Sequence, residues 1–216
     1  MLKADLHIHT EYSMDCNTPL EKIISRCLEI GINCLAIADH GTIEGALKMQ
    51  SIAPFRVIVA EEILTPDGEI MGVFLKKGIP SGLSIEEVIS RIKTQGGLVC
   101  IPHPFDTLSR SALGGKMLEA LAEQIDYIEL FNSRSIVQQP SIGARTFADK
   151  YGIPVSAGSD AHTINEIGKA YVEMPEFNGE DEFLSALRKG KIIGRRTNPL
   201  IHLTTTWTKL KRQFRG

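Results

Sequence analysis

Short apolar runs alternate with amphipathic stretches along most of the chain, the pattern of βαβ units on a parallel sheet. The first strand is expected over 2–9. Thr18-Pro19-Leu20-Glu21 then opens a helix: Thr18 caps it, Pro19 takes the first helical position, and Glu21 completes a capping box. Gly31 stops that helix. Strands are expected next at 34–38 and 56–64. The second of these runs into Pro66-Asp67-Gly68, a hairpin turn, and returns along 70–75. Ser84-Ile85-Glu86-Glu87 is another capping box, on a helix that ends near Gly96-Gly97. Strands follow at 98–102, 127–131, 154–158 and 169–174, with helices near 113–124, 138–151 and 179–189 and a short strand at 191–194.

Seven strands, most of them followed by helices, point to a barrel. The chain falls short of the roughly 250 residues that eight full βα units usually take. A seven-stranded, irregular α/β barrel over residues 1–197 is therefore expected, with a tail over 198–216.

Composition narrows the class. The chain has 216 residues, is 43% hydrophobic and carries a formal charge of −2, which excludes a disordered chain and allows one domain with a sizeable core. No run of 18 apolar residues is present, so no membrane span is expected. A strand-like pattern from Leu2 onward leaves no expected leader. The charge is uneven. Residues 1–182 carry 15 basic and 26 acidic side chains, a net of −11, whereas 183–216 carry nine basic and no acidic ones. An acidic body makes nucleic acid an unlikely partner except through the basic tail, which suits phosphate, RNA or a membrane surface. Cys16, Cys27, Cys34 and Cys100 form no C-x-x-C pair and read as reduced thiols of a cytoplasmic protein. Cys27 and Cys34, among apolar neighbours, are expected to pack.

The histidines carry the chemistry. Five of six fall at or just past a predicted strand end: His7, His9, His40, His103 and His162. Asp15, Asp39, Glu61, Glu62, Glu129 and Asp160 share those places. In a parallel barrel the carboxyl ends of the strands meet on one face, where active sites are built. Residues two apart on a strand share a side, so His7 and His9 are expected to point inward together, and Asp160-x-His162 repeats the spacing. Imidazole and carboxylate suit Mn, Fe or Zn, and this many donors in one mouth implies two to three divalent ions. His202, in the tail, has no acid nearby and reads as structural or exposed.

Asp5-x-His7-x-His9-Thr10, Tyr12-Ser13-Met14-Asp15 and Ala36-Ile37-Ala38-Asp39-His40 resemble the PHP (polymerase and histidinol phosphatase) family. Ala60-Glu61-Glu62-Ile63, Pro102-His103-Pro104, Ile128-Glu129-Leu130-Phe131-Asn132 and Gly158-Ser159-Asp160-Ala161-His162 continue that pattern in order, over about residues 4–173. The resemblance implies a distorted (β/α)7 barrel with a trinuclear metal centre at the C-terminal face of the strands. One ion would take His7, His9, Glu62 and Asp160. A second would share Glu62 and take His103 and Glu129, and a third would take Asp15, His40 and His162. Glu62 is preferred to Glu61 because strand neighbours face opposite ways and the family places its ligand second.

The implied reaction is hydrolysis of a small phosphomonoester, such as a nucleotide or histidinol phosphate. No catalytic group beyond a metal-activated water is implied. Arg134 is the first candidate for a phosphate contact, with Asn132 and Arg195 beside it. Asp5 and Asp39 are expected to orient the metal-binding histidines. Two rivals stand: a non-catalytic metal-binding module and an amidohydrolase-type hydrolase. The latter resembles enzymes that bridge two metals with a lysine at a middle strand end. Here the third, fourth and fifth predicted parallel strands end in Glu62, His103 and Glu129, and none in lysine.

Overall fold

The computed structural model describes residues 1–106, 112–136, 139–198 and 201, with 139 and 140 described as backbone alone. Its elements run β1 Leu2–Ile8, α1 Leu20–Ile30, β2 Cys34–Ile37, α2 Glu44–Ile52, β3 Arg56–Thr65, β4 Gly68–Val73, α3 Ile85–Thr94, β5 Leu98–Ile101, α4 Gly115–Leu121, β6 Tyr127–Asn132, α5 Gln139–Tyr151, β7 Val155–Gly158, β8 Ala170–Met174, α6 Gly179–Arg188 and β9 Lys191–Gly194. The strands form one sheet in the order β7-β6-β5-β4-β3-β2-β1-β8-β9. It curls until β7 meets β1. The Asp160 N–H donates to the His7 carbonyl at 2.7 Å and the His9 N–H to the Ala161 carbonyl at 3.0 Å. The result is an α/β fold around a nearly closed, barrel-like sheet.

The wall departs from a regular repeat of βα units in two places. The hairpin arm β4 is itself a wall strand, antiparallel to both β3 and β5. The strand expected at 169–174 is β8, which pairs antiparallel with the first half of β1 and with β9, outside the closed part of the wall. The chain had room for fewer crossovers than a full barrel needs, and antiparallel neighbours need only a short turn. Helix α2 was not foreseen. Its Gly45 looks like a breaker, yet a Cβ there would lie 2.2 Å from the Asp39 carboxylate, so glycine is required for the close approach.

Two apolar layers hold this frame. Ala36, Ala38, Ile58, Ala60, Met71, Val73 and Cys100 fill the barrel interior. Ile23, Cys27, Met49, Val88, Ile92, Leu118 and Phe147 pack the helices on its outside. Phe177 and Phe183 of the α6 region stack edge-on against Phe74, and Phe183 against Tyr127, closing the end where the parallel strands begin. The opposite end, where those strands finish, carries His9, His40, His103 and His162. Capping follows the sequence in part. Ser84 accepts the Glu87 N–H, and Gly31 closes α1 in the left-handed region. Thr18 does not cap α1. Its hydroxyl donates to the His162 carbonyl at 3.0 Å, and Glu11 receives the Leu20 N–H instead.

Candidate metal centre

A bulge in β1 aims its two histidines. Ala4 and Leu6 belong to the interior cluster, so strict alternation would turn His7 outward. The β1–β2 register shifts between Asp5 and Ile8, which inserts one residue and resets the alternation. Ile8 then joins the outer layer, and His7 and His9 both reach the buried mouth. On β3, Ile58 and Ala60 point inward, and Glu62, next in that series, follows them. Glu61 faces out and accepts the Ile79 N–H at 2.8 Å.

Five imidazoles and five carboxylates meet there. The Glu62 carboxylate lies at the centre. Its Oε2 is 3.3 Å from His7 Nε2, 3.4 Å from His9 Nε2 and 3.5 Å from His40 Nδ1, and its Oε1 is 2.9 Å from His103 Nε2. Asp15 Oδ2 sits between His40 Nε2 at 3.2 Å and His162 Nε2 at 3.1 Å. Asp160 Oδ1 faces His9 Nε2 at 3.3 Å and His162 Nδ1 at 3.4 Å. Three compact donor groups result: His9, Asp15, His40 and His162; His7, His9 and Glu62; and His40, Glu62 and Glu69.

Glu69 was not anticipated. It opens β4, and its carboxylate lies 3.7 Å from His40 Nδ1 and 3.6 Å from His103 Nε2. The signal was present: Glu69 shares a strand face with Met71 and Val73, both interior, and follows the hairpin turn. Glu129 takes a different place from the one expected. Its Oε1 faces His7 Nδ1 at 3.2 Å, and its Oε2 accepts the His103 backbone N–H at 2.8 Å rather than meeting the His103 ring. The ring of His103, whose backbone sits at φ 28°, faces Glu62 and Glu69 instead. Asp160, at φ 52°, is the other site residue in the left-handed region, a costly conformation held by its N–H bond to β1.

The expected orienting acids hydrogen-bond to backbone N–H groups and hydroxyls. Asp39 accepts the Thr10 N–H at 2.6 Å and the Thr10 hydroxyl at 2.7 Å. Asp5 accepts the Ser159 N–H at 2.8 Å, the Ser159 hydroxyl at 2.6 Å and the Gly168 N–H at 3.0 Å. Asp39 ties the residues after β2 to those after β1, and Asp5 ties the middle of β1 to the loop after β7. Burial pushes the Asp5 carboxyl up to about 7 against those bonds. Asn132 donates to Glu129 at 3.0 Å and to Asp160 at 3.2 Å. Arg134 is buried, with Nη1 3.4 Å from Glu166 and 3.5 Å from the Asp160 carbonyl. Arg195 is exposed just after β9, its backbone N–H donating to the Lys169 carbonyl. The Arg196 guanidinium donates to the Ser135 carbonyl. Cys16 is buried and donates to the His162 carbonyl; burial pushes its thiol up to about 11. His202 and Trp207 lie outside the described residues.

Acids and bases are closely coupled in this space. Asp15, Glu62, Glu69, Glu129 and Asp160 bring five negative charges into this space, and the fixed cation against it is Arg134. Burial alone would suppress ionisation of Glu62, yet His7, His40 and His103 hold it well below the usual carboxylate range. Reciprocally, burial would lower His9 and His103, but the carboxylates prevail and raise them to about 10 and about 9. His162 moves the other way, to about 4, through burial and the charge of His9. The Nδ1 atoms of His9 and His103 are buried without a hydrogen-bond partner. Mixed imidazole and carboxylate donors packed this closely fit divalent cations.

Comparison with known proteins gives the same direction. The PHP domain family matches residues 5–60, and the PHP-associated family matches residues 143–192. An uncharacterized protein of Methanocaldococcus jannaschii is 34% identical over 197 residues, 87% of this chain and 79% of that one. Among solved structures, a two-domain protein from Bacteroides vulgatus containing a predicted PHP-like metal-dependent phosphoesterase superposes with a TM-score of 0.72 at 16% identity. That match covers 90% of this chain, which spans 65% of the length of the Bacteroides protein. An amidohydrolase from Chromobacterium violaceum, solved with bound sulfate and no metal, superposes at 0.65 with 16% identity over 88% of this chain and 97% of that one. At such identities these two likenesses carry the fold. No helix among the described residues is long and apolar enough to cross a membrane.

Proposed function

This chain belongs to the PHP domain family, and from that membership we propose that it is a metal-dependent phosphoesterase acting on small phosphomonoesters. The observation that carries the reading is the buried Glu62 carboxylate, shared among four imidazoles. His7, His9, Glu62 and Asp160 would hold one ion, and Asp15, His40 and His162 another. His103 with Glu62 and Glu69 would hold a third. Divalent ions bound by these residues would supply Lewis acidity, neutralising phosphoryl charge and lowering the pKa of a bound water.

The chain's own groups do the rest. Arg134 presents a buried guanidinium to a phosphoryl oxygen, where the low dielectric strengthens the contact. Asn132 locks the carboxylates of Glu129 and Asp160, and Glu129 in turn fixes the ring of His7. Asp5 and Asp39 hold the loops that present Asp160 and His9. Positioning of this kind supplies most of the catalysis in phosphoryl transfer.

An amide-hydrolysing activity is the alternative, raised by the fold shared with the Chromobacterium protein. Two observations favour phosphate. The sulfate in that protein is a tetrahedral oxyanion like phosphate. The barrel's strand ends offer Glu62, His103 and Glu129 where amidohydrolases resemble one another in using lysine. The test is elemental analysis of the purified protein beside a phosphomonoester panel with Mn, Fe and Zn added in turn. Two to three metal equivalents and phosphate release are expected. Bound metal with amide cleavage and no phosphate release would overturn the proposal.

A further inference from the structure

Glu166 lies in the loop between β7 and β8, fully buried, and no reading of the strand ends pointed to it. Its two oxygens have different tasks. Oε2 accepts the His162 N–H at 3.1 Å, the Thr163 N–H at 2.9 Å and the Thr163 hydroxyl at 2.9 Å. Oε1 has no hydrogen-bond partner and faces Arg134 Nη1 at 3.4 Å. The turn itself is also closed by backbone, with the Glu166 N–H on the Thr163 carbonyl and the Lys169 N–H on the Glu166 carbonyl. An amide oxygen there would hold the three donors of Oε2 in weaker, uncharged bonds and would remove the charge that faces Arg134. A buried carboxylate with one unbonded oxygen is costly, and only a nearby cation offsets that cost. The carboxylate therefore serves two partners, the turn through Oε2 and Arg134 through Oε1.

We propose that Glu166 is a positioning residue that holds the Arg134 guanidinium against the Asp160 loop in the pose that binds the phosphoryl group. Arg134 is gripped from both chain directions. Its backbone N–H donates to Asn132 Oδ1 at 2.9 Å, and its Nη1 rests between Glu166 and the Asp160 carbonyl. A long side chain that otherwise samples many rotamers thus arrives already ordered, which lowers the entropy lost on binding an anion. The inference rests on the phosphoesterase reading, because it takes Arg134 to be the phosphate contact.

A double-mutant cycle tests it, with inorganic phosphate as the probe, calorimetry on the metal-loaded protein, and KM and kcat for a phosphomonoester alongside. Glu166→Gln should weaken phosphate binding roughly tenfold and raise KM while Arg134 is present, and by less than about twofold in an Arg134→Ala background. Glu166→Asp, which keeps the charge one methylene back, should recover part of the loss and serves if the glutamine variant folds poorly. Equal losses in both backgrounds would assign Glu166 to loop structure alone and overturn the inference. A loss in Arg134→Ala with none in Glu166→Gln would overturn it while leaving Arg134 as the phosphate contact. Unchanged phosphate affinity in Arg134→Ala would remove that contact, and the proposal with it.

Discussion

Replacing Gly158 by alanine inserts a methyl group where β1 already runs. Gly158 ends β7 and pairs with Asn132. A Cβ at this position would lie 2.2 Å from the His7 Cβ, 2.9 Å from the His7 nitrogen and 2.8 Å from Glu129 Oε1. Carbon atoms in contact rest at about 3.5–4.0 Å, so the two strands must part by roughly an ångström or more. The obstruction is backbone and Cβ, not the free end of a side chain, and it cannot rotate away. Overpacking a core site typically costs about 1–3 kcal/mol, and this overlap belongs at the top of that range, about 3 kcal/mol. At roughly 2–4 °C per kcal/mol for a domain of this size, Tm should fall by about 6–12 °C. The metal site should suffer with it. His7 Nε2 stands 3.2 Å from His9 Nε2 and 3.3 Å from Glu62, and a site of this kind tolerates displacement of only about 0.5 Å. The assays are thermal unfolding followed by circular dichroism and elemental analysis of the purified variant. Gly78→Ala is the control: its nearest neighbour would be Glu61 at 3.8 Å, so its Tm should stay within about 2 °C of the parent. A Gly158→Ala protein that melts with the parent and retains its full metal content would refute the packing argument.

Three further outcomes follow from the geometry. His9→Ala and Asp160→Ala should each abolish hydrolysis while the circular dichroism spectrum survives; parent-like turnover in either would remove the first donor group from the mechanism. Glu61, buried with one oxygen unpartnered, is pushed by that burial up to about 7, against the Ile79 N–H bond that opposes the rise. A carboxyl raised above its unfolded value favours the fold when protonated, and that contribution fades as pH rises through about 7. Glu61→Gln should therefore exceed the parent in chemical-denaturation stability at pH 8 and lose that advantage by pH 5, and equal stability at both values would contradict the assignment. Burial pushes the Cys16 thiol up to about 11 and those of Cys27 and Cys34 to about 12, so at pH 8 roughly one thiol in a thousand or fewer is ionised. Native protein should resist thiol reagents that label it fully once unfolded, and rapid labelling of the folded chain would show these sites to be open.

The sequence by itself determined the alternation of strands and helices and the gathering of five histidines at strand ends. These rest on local periodicity: an inward residue is followed two later by another, and a strand end is marked by its turn residues. Periodicity set Glu61 and Glu62 on opposite faces, and the family resemblance chose Glu62. The tertiary structure decided what periodicity does not encode. A strand has the same pattern whether its neighbour runs parallel or antiparallel, so the place of β4 in the wall, and of Glu69 in the mouth, waited on strand order. The bulge that turns His7 inward is a matter of register between β1 and β2, which neither strand states alone. Asp39 and Glu129 each stand beside a histidine of the site, and their bonding to Thr10 and to His7 arises from residues 29 and 122 positions away in the chain. Glu166 is the extreme case. A lone glutamate in a loop carries no pattern, and only the closure of β7 onto β1 beside Arg134 buries it and gives its charge a partner.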